Sequence, residues 1–153
     1  MDIVQARIDD VDTWVRMSST LFREDAGTRD SLTDVGWPEK HGRDHFAGLV
    51  SSDDAVCLLA RSGPTPVGYL AGLILAPTTL RPVKIAELQS MYVVEDHRRR
   101  GVGQGLVERF RAWATDLGAR RMSVTAYAAN RDAVRFYQRQ GFRPRSVTLE
   151  QGL

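Results

Sequence analysis

The chain has 153 residues, 42% of them hydrophobic and 26% charged. That balance describes one globular domain with a proper core and excludes a disordered or low-complexity chain. The formal net charge of +2 is too small to argue for nucleic acid, no apolar run approaches the ~20 residues of a membrane span, and Asp2, Asp9, Asp10 and Asp12 stand where a signal peptide needs an apolar segment, so a cytoplasmic protein without nucleic-acid or membrane partners is expected.

Ile3 to Ile8 reads as a first strand. Val11, Trp14, Val15, Ser18, Leu21 and Phe22 recur at helical spacing and predict a helix over 10–23. Residues 24–38 read as a loop punctuated by Gly27, Gly36 and Pro38, and a helix is predicted over 39–50. Asp53 and Asp54 turn the chain into a strand, Ala55–Arg61, in which Cys57, the only cysteine, reads as an inert core thiol. Ser62, Gly63 and Pro64 predict a hairpin into Val67–Ala76. A loop over 77–82 leads to a strand at Lys84–Val94. Val102, Leu106, Phe110, Trp113 and Leu117 form one stripe of a helix over 101–117, with Gly118 as its C-terminal cap. A strand at Arg121–Tyr127, a helix from Asn130 to about Gln140 and a last strand at Phe142–Leu149 complete the order. The whole predicts a single α/β domain over 1–153, built on a mixed sheet that is antiparallel at its start.

The richest stretch is Arg98-Arg99-Arg100-Gly101-Val102-Gly103-Gln104-Gly105, a turn from strand to helix. Unpaired N–H groups and the helix dipole make such a turn an anion site. A P-loop needs a glycine five residues after Gly101, and a dinucleotide fingerprint needs its third glycine at the same point; Leu106 stands there and excludes both. His41 and His45 lie four apart, as on a zinc helix, but Gly42 replaces the required acid and no third ligand is evident, so no metal is expected. No G-x-S-x-G element supports serine hydrolysis.

Arg98, Gly101 and Gly103 form R-x-x-G-x-G between a strand and a helix, and Asn130-x-x-Ala133-x-x-Phe136-Tyr137-x-x-x-Gly141-Phe142 follows downstream. Together with Glu87-Leu88-Gln89-Ser90-Met91-Tyr92-Val93, these segments resemble the GCN5-related N-acetyltransferase (GNAT) superfamily in order and spacing over about 84–142. The resemblance implies a mostly antiparallel sheet, splayed between its fourth and fifth strands and flanked by helices. It implies acetyl-CoA as cosubstrate, its diphosphate held by the backbone of Arg99, Arg100, Gly101, Val102, Gly103 and Gln104, with one or two side chains of the Arg98–Arg100 triplet on phosphate. Close approach of a pyrophosphate would also explain the extra glycines Gly103 and Gly105. Met91, Tyr92 and Val93 would line the pantetheine arm, with Met91 and Val93 pairing their backbone to it. Asn130, a good N-cap in any case, would touch the same arm. Tyr137 would protonate the leaving thiolate, and Glu87 is the candidate base for the attacking amine. By period two, Glu87 shares a face with Gln89, Met91 and Val93. Thr125 stands where some relatives carry a base and cannot serve as one.

Residues 1–39 hold nine acids against four arginines, and Trp37 adds a flat surface. The acidic loop suits a small polycationic amine, such as an aminoglycoside-like antibiotic or a polyamine. Peptide acetylation and a non-catalytic, CoA-binding regulatory module are the competing readings. The resemblance also admits a homodimer.

Overall fold

A computed structural model describes residues 1–153. Apolar runs up to Val93 pair into an antiparallel series of strands: β1 (Asp2–Gln5), β2 (Ala55–Ser62), β3 (Thr65–Leu75) and β4 (Ile85–Val93). β5 (Arg121–Val124) joins β4 in parallel, and the spatial order is β1-β2-β3-β4-β5. The predicted hairpin is present, with Ser62 opposite Thr65 and Gly63 at φ +60° in the turn.

The central strands are buried on both faces, which is why they read as continuous apolar runs rather than alternating ones. On one face lie α1 (Val11–Glu24), α2 (Ala26–Arg29) and α3 (Trp37–Ser51), whose Trp14, Met17 and Phe46 pack on Cys57, Leu59 and Tyr69. On the other lie α4 (Val102–Asp116) and α5 (Arg131–Arg139). There Leu106, Val107 and Phe110, each 0% exposed, close over Leu58, Leu70 and Leu88. Gly72 permits this approach: a Cβ there would lie 2.6 Å from the Phe110 ring and 2.8 Å from the Glu87 carbonyl oxygen. No helix is long and apolar enough to cross a membrane.

Four expectations change. The first strand runs Asp2–Gln5 and does not reach Ile8, which opens a 3₁₀ turn. The loop over 24–38 contains α2, and α3 begins at Trp37, two residues before its expected start, with Pro38 in its first turn where a missing N–H is harmless. The fifth strand ends at Val124, not at Tyr127. The last strand, Phe142–Leu149, is absent. Residues 143–153 have no regular structure and are exposed throughout, Val147 at 81% and Leu149 at 87%. The strand-like alternation there is real, but a strand needs an edge to pair with, and within this chain the segment meets none.

Candidate active site

The turn before α4 is built on two left-handed residues. A 3₁₀ turn at Glu95–His97 brings the chain to Arg99, whose φ of +62° is left-handed without being glycine. Gly101 follows at φ +84° and caps α4, and nothing lies within 4 Å of where its Cβ would be. Left-handed residues at a helix start turn successive N–H groups toward one point, an anion-binding concavity. A non-glycine residue in a left-handed conformation is uncommon.

Two glycines have a different explanation from the one expected. A Cβ on Gly103 would meet the Phe136 ring at 3.1 Å, and one on Gly105 would meet Ile3 Cδ1 at 2.9 Å. Their smallness lets α4 sit against α5 and β1, which is a packing reason. Arg98 is also committed within the fold. Its Nε donates to the Val93 carbonyl at 2.8 Å, its Nη2 donates to Glu24 Oε2 at 2.8 Å, and its guanidinium lies 5.4 Å from the Tyr92 ring centre. Arg98 therefore ties the turn to β4 and α1, whereas Arg99 and Arg100 are exposed.

The sheet opens beside this turn. β4 and β5 pair only from Ile85–Arg121 to Leu88–Val124, while β4 continues to Val93. From Gln89 onward that edge of β4 has no strand beside it, so its backbone groups are available to an extended ligand. On the opposite edge the register slips: Gly72 pairs with Leu88 and Ala71 with Ser90, so Gln89 is the extra residue of a bulge. The bulge corrects the period-two expectation for Glu87. Leu88, Met91 and Val93 pack on the α4 side, whereas Ser90, hydrogen-bonded to the Tyr69 hydroxyl at 3.2 Å, and Tyr92 belong to the α1–α3 side. Glu87 lines a cleft on that second side, apart from the face of Met91 and Val93.

The cleft has a volume of about 330 Å³. α1 lines it with Trp14, Ser18 and Phe22, one residue per turn. α3 adds Trp37 and His45, and the bulged strand adds Glu87 to Ser90. Thr125, just past the end of β5, completes it, so the cleft reaches the mouth of the β4–β5 opening. Trp37 and Phe22 stack at 5.9 Å with planes 9° apart, and His45 meets Trp37 edge-on at 5.4 Å. Gln89 Nε2 donates to Glu87 Oε1 at 3.4 Å. Burial lowers the His45 imidazole from its ordinary value, and a hydrogen bond with Gln89 works against that shift.

Of the cleft residues, Glu87 and the flat Trp37 are legible in the sequence. Trp14, Ser18 and Phe22 read there as an apolar stripe; the one signal was a serine in the middle of it. His45 stands in the sequence as one of two histidines four residues apart, a pattern that does not point to this cleft. Thr125 carries no signal in the sequence beyond its place five residues before Asn130.

Asn130 is the N-cap of α5, its Oδ1 accepting from the Ala133 N–H at 3.2 Å. Its Nδ2 donates to Asp25 Oδ1 at 3.1 Å, so the side chain ties α5 to the end of α1. Tyr137, half-buried on α5, packs edge-on against Phe136 and Phe142. Burial first, and then the Asp25 carboxylate, push its phenol above the ordinary range, which keeps it protonated and able to donate. Burial does the same to the Cys57 thiol, as expected of an inert core cysteine.

Comparison with known proteins agrees with this geometry. The chain is similar to an uncharacterized N-acetyltransferase of Methanocaldococcus jannaschii, 27% identical over 109 residues, which are 71% of this chain and 48% of the relative; the matched part is thus about half the relative's length. It is similar to another, from Archaeoglobus fulgidus, at 25% identity over 94% of this chain and 93% of that one. Among solved structures, a Bacillus halodurans protein superposes with a TM-score of 0.90 at 19% identity, over 100% of this chain and 99% of that one. An aminoglycoside N-acetyltransferase solved with CoA superposes at 0.80 and 17% identity, over 99% and 93%. At such identities the superpositions speak for the fold alone. Residues 17–142 match the acetyltransferase (GNAT) family. With its turn at Gly101 and its sheet opened after Leu88 and Val124, this chain belongs to that family.

Proposed function

We propose that the protein transfers an acetyl group from acetyl-CoA to a primary amine of a small molecule, by direct attack in a ternary complex. The observation that carries the reading is the opening between β4 and β5, which joins the left-handed turn at Gly101 on one side to the cleft at Glu87 on the other. The diphosphate would rest on the backbone N–H groups of Arg99 to Gln104, with Arg99 and Arg100 as the free cations. Arg98 acts by holding the turn. The pantetheine arm would run along the unpaired edge of Met91, Tyr92 and Val93, past Asn130. The amine would enter from the α1–α3 side. Proximity supplies most of the rate. Glu87 accepts the amine's proton, directly or through water, and Tyr137 protonates the departing thiolate.

A polycationic acceptor is the second reading, favoured by the similarity to an aminoglycoside N-acetyltransferase. A homodimer also belongs to the reading: β5 leaves one edge unpaired, and the exposed 143–153 segment offers a surface for a second copy. Thiol release from acetyl-CoA, followed over a panel of amines and peptides, tests the activity. Release with small amines and not with peptides is expected. CoA binding by calorimetry without turnover of any acceptor would instead make the protein a CoA-responsive module.

A further inference from the structure

Most carboxylates of the acidic stretch that suggests a polycationic acceptor are paired with cations within the fold. Glu24 accepts from Arg98 at 2.8 Å, and Asp25 is bound by Arg29 and Asn130, both at 3.1 Å. Asp34 pairs with Lys40 at 2.8 Å, and Glu39 stands 3.6 Å from Arg23. Asp30 accepts from the Thr33 hydroxyl at 2.8 Å and the Leu32 N–H at 3.0 Å. None of these carboxylates lines the cleft; Glu87 is its one acid. A ligand bearing several ammonium groups would find one counter-charge and would leave the rest unpaired against aromatic walls, an expensive arrangement once desolvated.

The walls match a different ligand. Phe22, Trp37 and His45 are half-buried, with Trp14 behind them, and the Trp37–Phe22 pair presents parallel rings. Flat apolar surface of this kind is covered best by another ring, offset-stacked or edge-on, and it also attracts a single cation. The volume of about 330 Å³ lies at the small end of ligand cavities, which span roughly 300–1,000 Å³.

Resting on the transferase reading above, we infer that the acceptor is a small primary amine with one positive charge on a flat aromatic body, its ring held against Trp37 and Phe22 and its ammonium beside Glu87. Specificity then comes from an aromatic slot, and the acidic loop serves to hold α1, α2 and the Gly101 turn together.

The test compares 2-phenylethylamine, hexylamine, spermidine and kanamycin as acceptors, with Trp37→Ala and Trp37→Phe beside the unaltered protein. The aromatic amine is expected to exceed each of the others by about tenfold in kcat/KM, the size of one good aromatic contact. Trp37→Ala is expected to erase that margin mainly through KM, and Trp37→Phe to keep most of it. Higher kcat/KM for spermidine or kanamycin than for 2-phenylethylamine would overturn the inference, as would a margin unchanged in Trp37→Ala. Calorimetric binding of 2-phenylethylamine to the CoA-loaded protein separates the two levels. Binding that depends on Trp37, without turnover of any amine, would sink the transferase and keep the slot. Turnover of polyamines, with no binding of the aromatic amine, would do the reverse.

Discussion

Each candidate side chain owes its chemistry to what surrounds it. Tyr137 is a phenol that burial and a nearby Asp25 keep protonated, which is the state a thiolate needs in a proton donor. Tyr137→Phe removes that proton and leaves the packing against Phe136 and Phe142. General-acid contributions run to about 10²–10⁴-fold, so a fall in kcat of that order is expected with CoA affinity unaltered; a variant with full kcat would remove Tyr137 from the chemistry. His45 gives a second prediction. Burial lowers its pKa in the fold, while in the unfolded chain it titrates near ~6.5. Below that value the unfolded chain binds more protons than the folded one, so stability falls as pH drops through it toward the lower folded pKa. Urea midpoints should therefore decline between about pH 7.5 and 5.5, a window above carboxylate titration. The decline should be smaller in His45→Gln.

Element-level events decide which side chains meet. One extra residue, Gln89, turns Glu87 toward α1 and α3 and leaves Met91 and Val93 facing α4. Strict alternation could not show this, because a bulge is set by how β3 and β4 pair across the sheet. Gly72 stands opposite that slip, and the Phe110 ring and Glu87 carbonyl leave no room for a Cβ. Gly72→Ala should lower stability by about 1–3 kcal/mol, as overpacking does. Gly105→Ala meets the flexible ends of Ile3 and Met1 and regains about 1 kcal/mol of helix propensity, so its urea midpoint should stay close to that of the parent. Gly101→Ala faces open space but must hold φ +84°; a left-handed Ala costs ~1–2 kcal/mol. It should weaken CoA binding more than any alanine placed at Gly105. Helices and strands with strong periodicity were legible within a few residues, as α1, α4 and β2 show. The short α2 was not, because four residues carry too little pattern to outweigh Gly27.

At the scale of the whole molecule, the sheet separates two cores, and the site lies where its last two strands part. The 143–153 segment is exposed throughout and contributes no residue to either core. Its removal should leave the thermal midpoint within the ~2–4 °C that 1 kcal/mol represents for a domain of this size. If a second copy covers the β5 edge through this segment, the shortened chain should also elute at monomer mass, which light scattering on both forms will read. The sequence by itself determined the family's signatures, the glycine turn before α4, the N-cap at Asn130 and the order of the longer elements from α1 to α5, because glycine placement, capping and periodicity are local properties. Tertiary structure alone decided the rest. It paired Glu24 with Arg98 and Glu39 with Arg23, gave Gly103 and Gly105 to packing and left the last predicted strand unpaired. It also assembled Trp14, Phe22, Trp37, His45 and Glu87 into one cleft. Those outcomes depend on contacts between segments far apart in the chain, which no local pattern encodes.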